Sequence, residues 1–320
     1  MSSTPLPALR FCALRLGKNP GAGLLRPSRH RARYYSRLHR TEPATKIADS
    51  LKQDGFVVIQ SLFSADQVRH LNADMDSVLS RSTPGKIAAK VSGSSIPEDE
   101  AVQRAIFGAN TRRVDKLLAH SETWRTLVDD DALHGICAQA LGATGDYWLS
   151  TAQMIEIGPG SAEGPLHPDA GLWWMLLGLD DEAAPELVLN FLVATTRTTV
   201  ANGATGVVEG SHKLPISKVL ADMEAEIWKT PSERVEQVEL EAGDCLLVGG
   251  RIFHRGGANT TADEYRRVLS CMVTSCALTP EEAPPFYVGE DVARGFSRRA
   301  RKFLGYEDMR PAMGAGFWRR

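Results

Sequence analysis

Apolar residues recur at helical spacing early in the chain and at strand spacing after about residue 142. In Ala44–Asp54, Ile47 and Leu51 fall on one side, and Gly55 stands where a left-handed cap ends a helix. Phe56-Val-Val-Ile59 then reads as a short apolar strand. Ser64-Ala-Asp-Gln67 has the form of a capping box, and Val68, Leu71, Met75, Val78 and Leu79 follow three and four residues apart, the stripe of a second amphipathic helix. A third helical stretch is expected over 122–141, with Leu133, Ile136, Cys137 and Leu141 on one face and Gly142 at its end. Residues 82–100, rich in Ser, Gly and Pro, predict a loop.

Strand patterns dominate the remainder. Residues 148–157 alternate and end in Gly158-Pro159-Gly160, a turn signal. Residues 238–248 read as strand, tight turn at Gly243-Asp244, strand, and residues 266–274 form another strand-like run. No internal repeat and no low-complexity tract interrupts the pattern.

The chemistry sits on this β-rich part. His167-Pro168-Asp169 places an imidazole and a carboxylate two residues apart, so both point the same way on extended backbone. The strand pattern delivers a third donor, His254, shortly after residue 248. Two imidazoles and one carboxylate on one face of a ferrous ion leave adjacent coordination positions open for a co-substrate and dioxygen. Taken alone, His167 is as well explained as a core or turn histidine; the downstream partner makes the difference.

The ordered motifs resemble those of the phytanoyl-CoA dioxygenase family of iron(II)/2-oxoglutarate oxygenases. They are Asp54-Gly-Phe-Val-Val-Ile59, Pro165-Leu-His-Pro-Asp169, Asn202-Gly-Ala-Thr205 running on to Gly210-Ser-His212, Ala242-Gly-Asp244, and Phe253-His-Arg-Gly-Gly-Ala-Asn259 followed by Arg266, spread over about residues 45–305. Phe303-Leu-Gly-Tyr306 looks most like the branch that tailors polyketide, terpenoid and alkaloid metabolites. The resemblance implies a mainly β fold with flanking helices, a double-stranded β-helix or jelly roll. It implies His167, Asp169 and His254 as iron ligands, with Arg266, Thr205 and Gln153 holding 2-oxoglutarate. Arg267 is a rival for Arg266, because the interval from His254 is one residue longer than the family pattern. Pro168 stands where the family usually has Arg. Halogenating relatives lack the carboxylate, so Asp169 points to hydroxylation or a related oxidation. His212 is implied as a loop buttress. Trp173 and Trp174 are expected at alternating strand positions, one facing a substrate pocket and one the core, with the 82–110 loop and the C-terminal segment around the same pocket. A homodimer is implied, with residues 306–320 near a neighbour's pocket.

Composition and charge narrow the partners. The net charge is −2, yet residues 1–41 carry nine Arg or Lys and no acid, so the remainder is distinctly acidic. It shows no basic stripe, which argues against nucleic-acid binding. No segment has the length and apolarity of a membrane span. The five cysteines contain no CxxC pair and suit reduced thiols in an intracellular compartment. Residues 1–41, Arg-rich with Ser and Leu, read as a mitochondrial presequence or a basic tail, in which case the protein is mitochondrial or otherwise cytoplasmic. Residues 42–320 form one domain, and the cluster 294–302 reads as a solvated helix face. The expected substrate is a small apolar metabolite. An acyl-CoA or lipid substrate is the alternative within the same chemistry, and a catalytically silent jelly-roll subunit the alternative outside it.

Overall fold

The computed structural model describes residues 35–85, 108–173, 175–176, 184–215 and 235–312. Its strands are β1 (Arg37–His39), β2 (Phe56–Gln60), β3 (Thr111–Val114), β4 (Tyr147–Ile157), β5 (Val188–Ala194), β6 (Thr205–Val208), β7 (Val235–Val238), β8 (Cys245–Gly249), β9 (His254–Arg255) and β10 (Arg266–Ser275). Seven of them form one sheet in the order β1-β2-β8-β5-β10-β4-β3, and β7-β6-β9 form a second. All neighbours pair antiparallel except β1 with β2. Two sheets of this kind facing each other make a jelly roll, as expected.

Helices cover the outer face of the large sheet. They are α1 (Ala44–Asp54), α2 (Ala65–Arg81), α3 (Leu117–His120), α4 (Glu122–Leu127), α5 (Asp131–Leu141), α6 (Glu290–Ala293) and α7 (Arg298–Phe303). Gly55 caps α1 in the left-handed region at φ 80°, and Ser64 and Gln67 form the reciprocal capping box of α2. The stripe Val68, Leu71, Met75 and Leu79 is buried against Leu149, Met154, Phe191, Leu247, Leu269 and Val273 of the sheet. The helix expected over 122–141 is two helices. The Asp130 side chain accepts the N–H groups of Ala132 and Leu133, so it starts α5 instead of continuing α4.

The central strands are apolar on both faces. Leu189, Phe191 and Val193 of β5 face the helices, whereas Leu192 and Ala194 join Val58, Leu246, Val248 and Val268 between the sheets. This two-sided burial explains why they read as continuous apolar runs. β7 and β8 flank the Gly243 turn but do not pair; the turn carries the chain from the small sheet to the large one. Gly243 has φ 95°, and a Cβ there would meet the Phe63 carbonyl oxygen at 2.4 Å, so the crossing requires glycine.

Ordered structure begins before residue 42. Arg37–His39 pairs with β2, Arg37 reaches Asp244 at 3.4 Å and Arg40 reaches Asp130 at 2.9 Å, within the segment grouped by composition with the basic extension. The cluster 294–302 is ion-paired at its exposed side: Arg299 with Asp129 and Asp131, Arg301 with Glu307, Lys302 with Asp146. Cys137, Cys245, Cys271 and Cys276 are free thiols in the interior, and burial raises the pKa of each. Among the described residues no helix is long and apolar enough to cross a membrane.

Candidate active site

Three of the motif residues meet at one end of the space between the sheets. His167 and His254 exchange backbone hydrogen bonds at 3.0 Å in an isolated antiparallel bridge, which brings their rings together with centroids 4.6 Å apart at a 46° tilt. The extended backbone of Pro168 turns Asp169 to the same side, but Asp169 opens a 3-10 turn, Asp169–Leu172, instead of continuing a strand. The Asp169 carboxylate lies 3.8 Å from His167 Nε2 through Oδ1 and 3.8 Å from His254 Nε2 through Oδ2. Donors sharing a first-row divalent ion at about 2.1 Å each are at most about 4.2 Å apart. Both pairs meet that limit, and the donor atoms of all three residues lie within 4.8 Å of one another.

The second atoms of these ligands are also placed. His167 Nδ1 lies 2.9 Å from the Pro165 carbonyl and His254 Nδ1 lies 3.3 Å from that of Ile252. Each Nδ1–H therefore donates to a carbonyl, leaving the Nε2 lone pair to face the shared point. Asn190 donates from Nδ2 to Asp169 Oδ2 at 3.0 Å, and Ser270 donates to Asn190 Oδ1 at 3.0 Å. The His167 side chain is half exposed, yet desolvation by the surrounding protein and the neighbouring His254 hold it below the usual imidazole pKa, which favours the neutral ligand form.

Strand alternation separates Arg266 from Arg267. Arg267 faces the helices, where it pairs with Glu156 at 2.6 Å and Asp76 at 2.6 Å. Arg266 points between the sheets, is 3% exposed, and donates from Nη2 to Thr205 Oγ1 at 2.7 Å across the gap to β6. Its Nε has no partner, and among the described residues no carboxylate pairs with it. Burial, helped by the nearby Arg113 charge, pulls the Arg266 pKa down to about 10. Desolvation lowers the pKa of half-buried Arg113, on β3, to about 10 as well, and its charge also reaches His167. The buried Arg266 guanidinium, with the positive charge of Arg113 near it, creates a preference for an anion beside it. Gln153 pairs in register with Ser270 and so belongs to the same inward-facing row of the sheet.

Sequence reasoning missed Asn190, Ser270 and Arg113. Asn190 had a signal, as the lone polar residue in the apolar run of β5; Arg113 had only its place in an unremarkable Thr-Arg-Arg-Val. The tryptophan expectation is corrected in form. Trp173 ends the 3-10 turn, not a strand, and is buried with its indole N–H on the Thr279 carbonyl at 2.9 Å. Trp174 and most of the 82–110 loop lie outside the described residues, as do residues 313–320; residues 309–312 pack on the chain itself, with Pro311 bridged to Gly145. His212 is not at the metal position. Its Nε2 lies 3.2 Å from the Gln53 carbonyl beneath Gly55, the buttressing role expected of it.

The phytanoyl-CoA dioxygenase family model matches residues 51–268, the segment that contains Arg113, Gln153, His167, Asp169, Asn190, Thr205, His254 and Arg266. The chain belongs to this family. Curated relatives agree. The dioxygenase ALT11 of Alternaria alternata is 35% identical over 286 residues, covering 86% of each chain. The dioxygenase FUM3 of Gibberella moniliformis is 34% identical over 287 residues, covering 86% of this chain and 87% of its own. The iron/alpha-ketoglutarate-dependent dioxygenase ausU of Aspergillus calidoustus is 30% identical over 268 residues, with 83% and 82% covered. Among solved structures, the epimerase SnoN in complex with Fe3+, alpha-ketoglutarate and nogalamycin RO superposes with a TM-score of 0.54 at 20% identity, over 74% of this chain and 86% of its own. HygX from Streptomyces hygroscopicus, with nickel and 2-oxoglutarate bound, gives 0.53 at 17%, over 76% and 93%. These two likenesses speak for the fold.

Proposed function

We propose that the protein is an iron(II)- and 2-oxoglutarate-dependent dioxygenase that oxidises a small apolar metabolite, with His167, Asp169 and His254 holding the iron. The observation that carries this reading is a pair of complementary groups of residues between the sheets. One is a neutral-imidazole and carboxylate donor set; the other is the buried Arg266 guanidinium, which pairs with no carboxylate among the described residues. A dianionic co-substrate that chelates the metal and extends a distal carboxylate toward Arg266 satisfies both.

Each residue then has a role. Iron bound at the triad supplies the ability to activate dioxygen and couple its reduction to decarboxylation of 2-oxoglutarate. His167 and His254 present Nε2 because their Nδ1–H groups are held by carbonyls. Asn190 fixes the plane of Asp169. Arg266 and Thr205 bind the distal carboxylate, Arg113 adds positive charge beside it, and Gln153 lies on the same wall. The apolar lining of Val58, Leu192, Leu246 and Val268 excludes water from the anion's surroundings, which strengthens these interactions. The relatives' fungal sources and the chemistry of an apolar lining favour a specialised metabolite as substrate.

An anaerobic visible spectrum of the ferrous protein tests the assignment. Addition of 2-oxoglutarate is expected to produce a weak metal-to-ligand charge-transfer band, absent in His254→Ala. A metal-loaded wild type that gives no band would overturn the co-substrate reading.

A further inference from the structure

Beside the metal triad lies a carboxylate that the proposed chemistry does not use. Glu281 sits in the loop that follows β10, and three contacts fix this loop at the mouth of the site. Trp173, four residues after Asp169, donates its indole N–H to Thr279. Trp148 donates its own to the Leu278 carbonyl at 3.1 Å. Ser150, at the bulge where β4 and β10 lose register, receives the Glu281 N–H on its hydroxyl at 3.2 Å and the Glu282 N–H on its carbonyl at 2.7 Å. With its oxygen already accepting, the Ser150 hydroxyl has its proton to give to the Glu281 carboxylate.

The two neighbouring glutamates are treated differently. Glu282 is buried and spoken for: Thr151, Tyr287 and the backbone N–H groups of Lys116 and Ala152 all donate to it. It is a structural clamp. Glu281 is open to solvent, yet crowding by protein and the like charges of Asp169 and Glu282 raise its pKa to about 7. Among the described residues no lysine or arginine forms an ion pair with Glu281. Iron would balance Asp169, and nothing comparable balances Glu281.

The surroundings are apolar. Leu172 and Met175, on the segment that Trp173 ties to this loop, are 56% and 57% exposed, and Phe286 farther along the loop is 84% exposed. Ala170, Trp173 and Leu176 of that segment form one buried cluster with Met272 and with Leu278 of the loop. An exposed carboxylate on a loop packed against this apolar segment selects for a positive charge on an otherwise apolar molecule.

We propose that Glu281 is the specificity-determining anchor of the substrate mouth and that the substrate is an amphiphile, an apolar chain or ring system carrying a protonated amine that pairs with Glu281. This rests on the dioxygenase reading of the same site. Salt-bridge formation at this position fixes which carbon of the apolar part lies over the metal, so the charge would set regiochemistry as well as affinity.

The test uses the full-length protein loaded with nickel(II), a redox-inert stand-in for iron, and 2-oxoglutarate at pH 8. The probes are decylamine and its neutral counterpart N-decylacetamide, both below their aggregation concentrations, with binding read by calorimetry. Wild type is expected to bind decylamine at least tenfold more tightly than N-decylacetamide. Glu281→Gln is expected to abolish that preference while melting no lower than wild type and retaining 2-oxoglutarate binding. Equal affinity for the two probes, a preference that survives in Glu281→Gln, or no saturable binding of decylamine by wild type would overturn the proposal. The charge-transfer band separates the two readings: a normal band with no amine preference sinks only the Glu281 assignment, and a missing band sinks the dioxygenase site itself.

Discussion

Asn190 Nδ2 donates to Asp169 Oδ2 at 3.0 Å, and Ser270 pins Asn190 from behind, so the only carboxylate of the triad is oriented by a two-step relay from β10 through β5. Outer partners of this kind set ligand direction and basicity, and their loss costs about 10–100-fold in metal affinity. Asn190→Ala is therefore expected to weaken cobalt(II) or iron(II) binding by about that factor, measured by chelator competition, with the fold intact by circular dichroism. Unchanged affinity would mean that the backbone of the Asp169 turn positions the carboxylate without help.

Arg266 and Arg267 are adjacent and chemically identical, yet strand alternation gives them opposite fates. Arg266→Ala is expected to raise the dissociation constant for 2-oxoglutarate by two orders of magnitude or more, on the order of 3 kcal/mol for a lost charge-assisted pair. Metal affinity should be nearly unchanged. Arg267→Ala should leave 2-oxoglutarate binding intact and instead lower the unfolding free energy by about 2 kcal/mol, since it breaks ionic hydrogen bonds to Glu156 and Asp76. Titrating 2-oxoglutarate against both variants, alongside denaturant melts, separates the two faces of β10. The reverse pattern would show that the register of β10 is wrong by one residue.

Much of this was legible in the sequence, for reasons that can be named. The helix α1 and the start of α2 were readable because Gly55 and the Ser64–Gln67 box are local signals that tertiary packing does not override. β4 and β10 were readable from their own patterns. The triad was readable because two of its members are two residues apart. What stayed hidden depends on partners remote in the chain. Nothing within Thr-Arg-Arg-Val says that Arg113 faces Arg266, because that follows from the pairing of β3 with β4 and of β4 with β10. Nothing around Gly243 says that its two flanking strands enter different sheets. The break at Asp130 escaped for a different reason. Helical periodicity continues on both sides of it, and only the side chain's bonds to Ala132 and Leu133 mark a new start.

His212 makes the stability of the fold pH-dependent. Burial holds its pKa below the ordinary imidazole value of 6.5, and its ring packs where a side chain on Gly55 would collide with it at 2.5 Å. The unfolded chain therefore takes up a proton at higher pH than the folded one. The stabilisation from a neutral His212 is complete above about pH 6.5 and is lost as pH falls from there toward the depressed folded value. His134, also depressed by burial, acts in the same direction. Melting temperatures of metal-free wild type and His212→Leu between pH 7.5 and 5.5 isolate the first contribution. Their difference is expected to shrink with acidification, and a constant difference would assign the acid sensitivity elsewhere.

Thr205 links the two sheets through a single hydroxyl, and its proton decides its role. Its Oγ1 accepts from Arg266 Nη2 at 2.7 Å, so its own hydrogen is left to donate toward the anion that Arg266 holds. Thr205→Val keeps the shape and removes both functions, leaving a buried guanidinium hydrogen without an acceptor. Stranding a donor of that kind costs about 1–3 kcal/mol, but the cost falls on the free protein and the complex alike unless the anion supplies the missing acceptor. Two outcomes follow from that distinction. A drop of about 2 kcal/mol in unfolding free energy with unchanged 2-oxoglutarate affinity would make Thr205 a strut for Arg266 alone. A weakening of 2-oxoglutarate binding by about tenfold, with recovery in Thr205→Ser, would make the hydroxyl a direct ligand. The second is expected, because Thr205 Oγ1 already accepts from Arg266 and no described acceptor takes the hydroxyl proton.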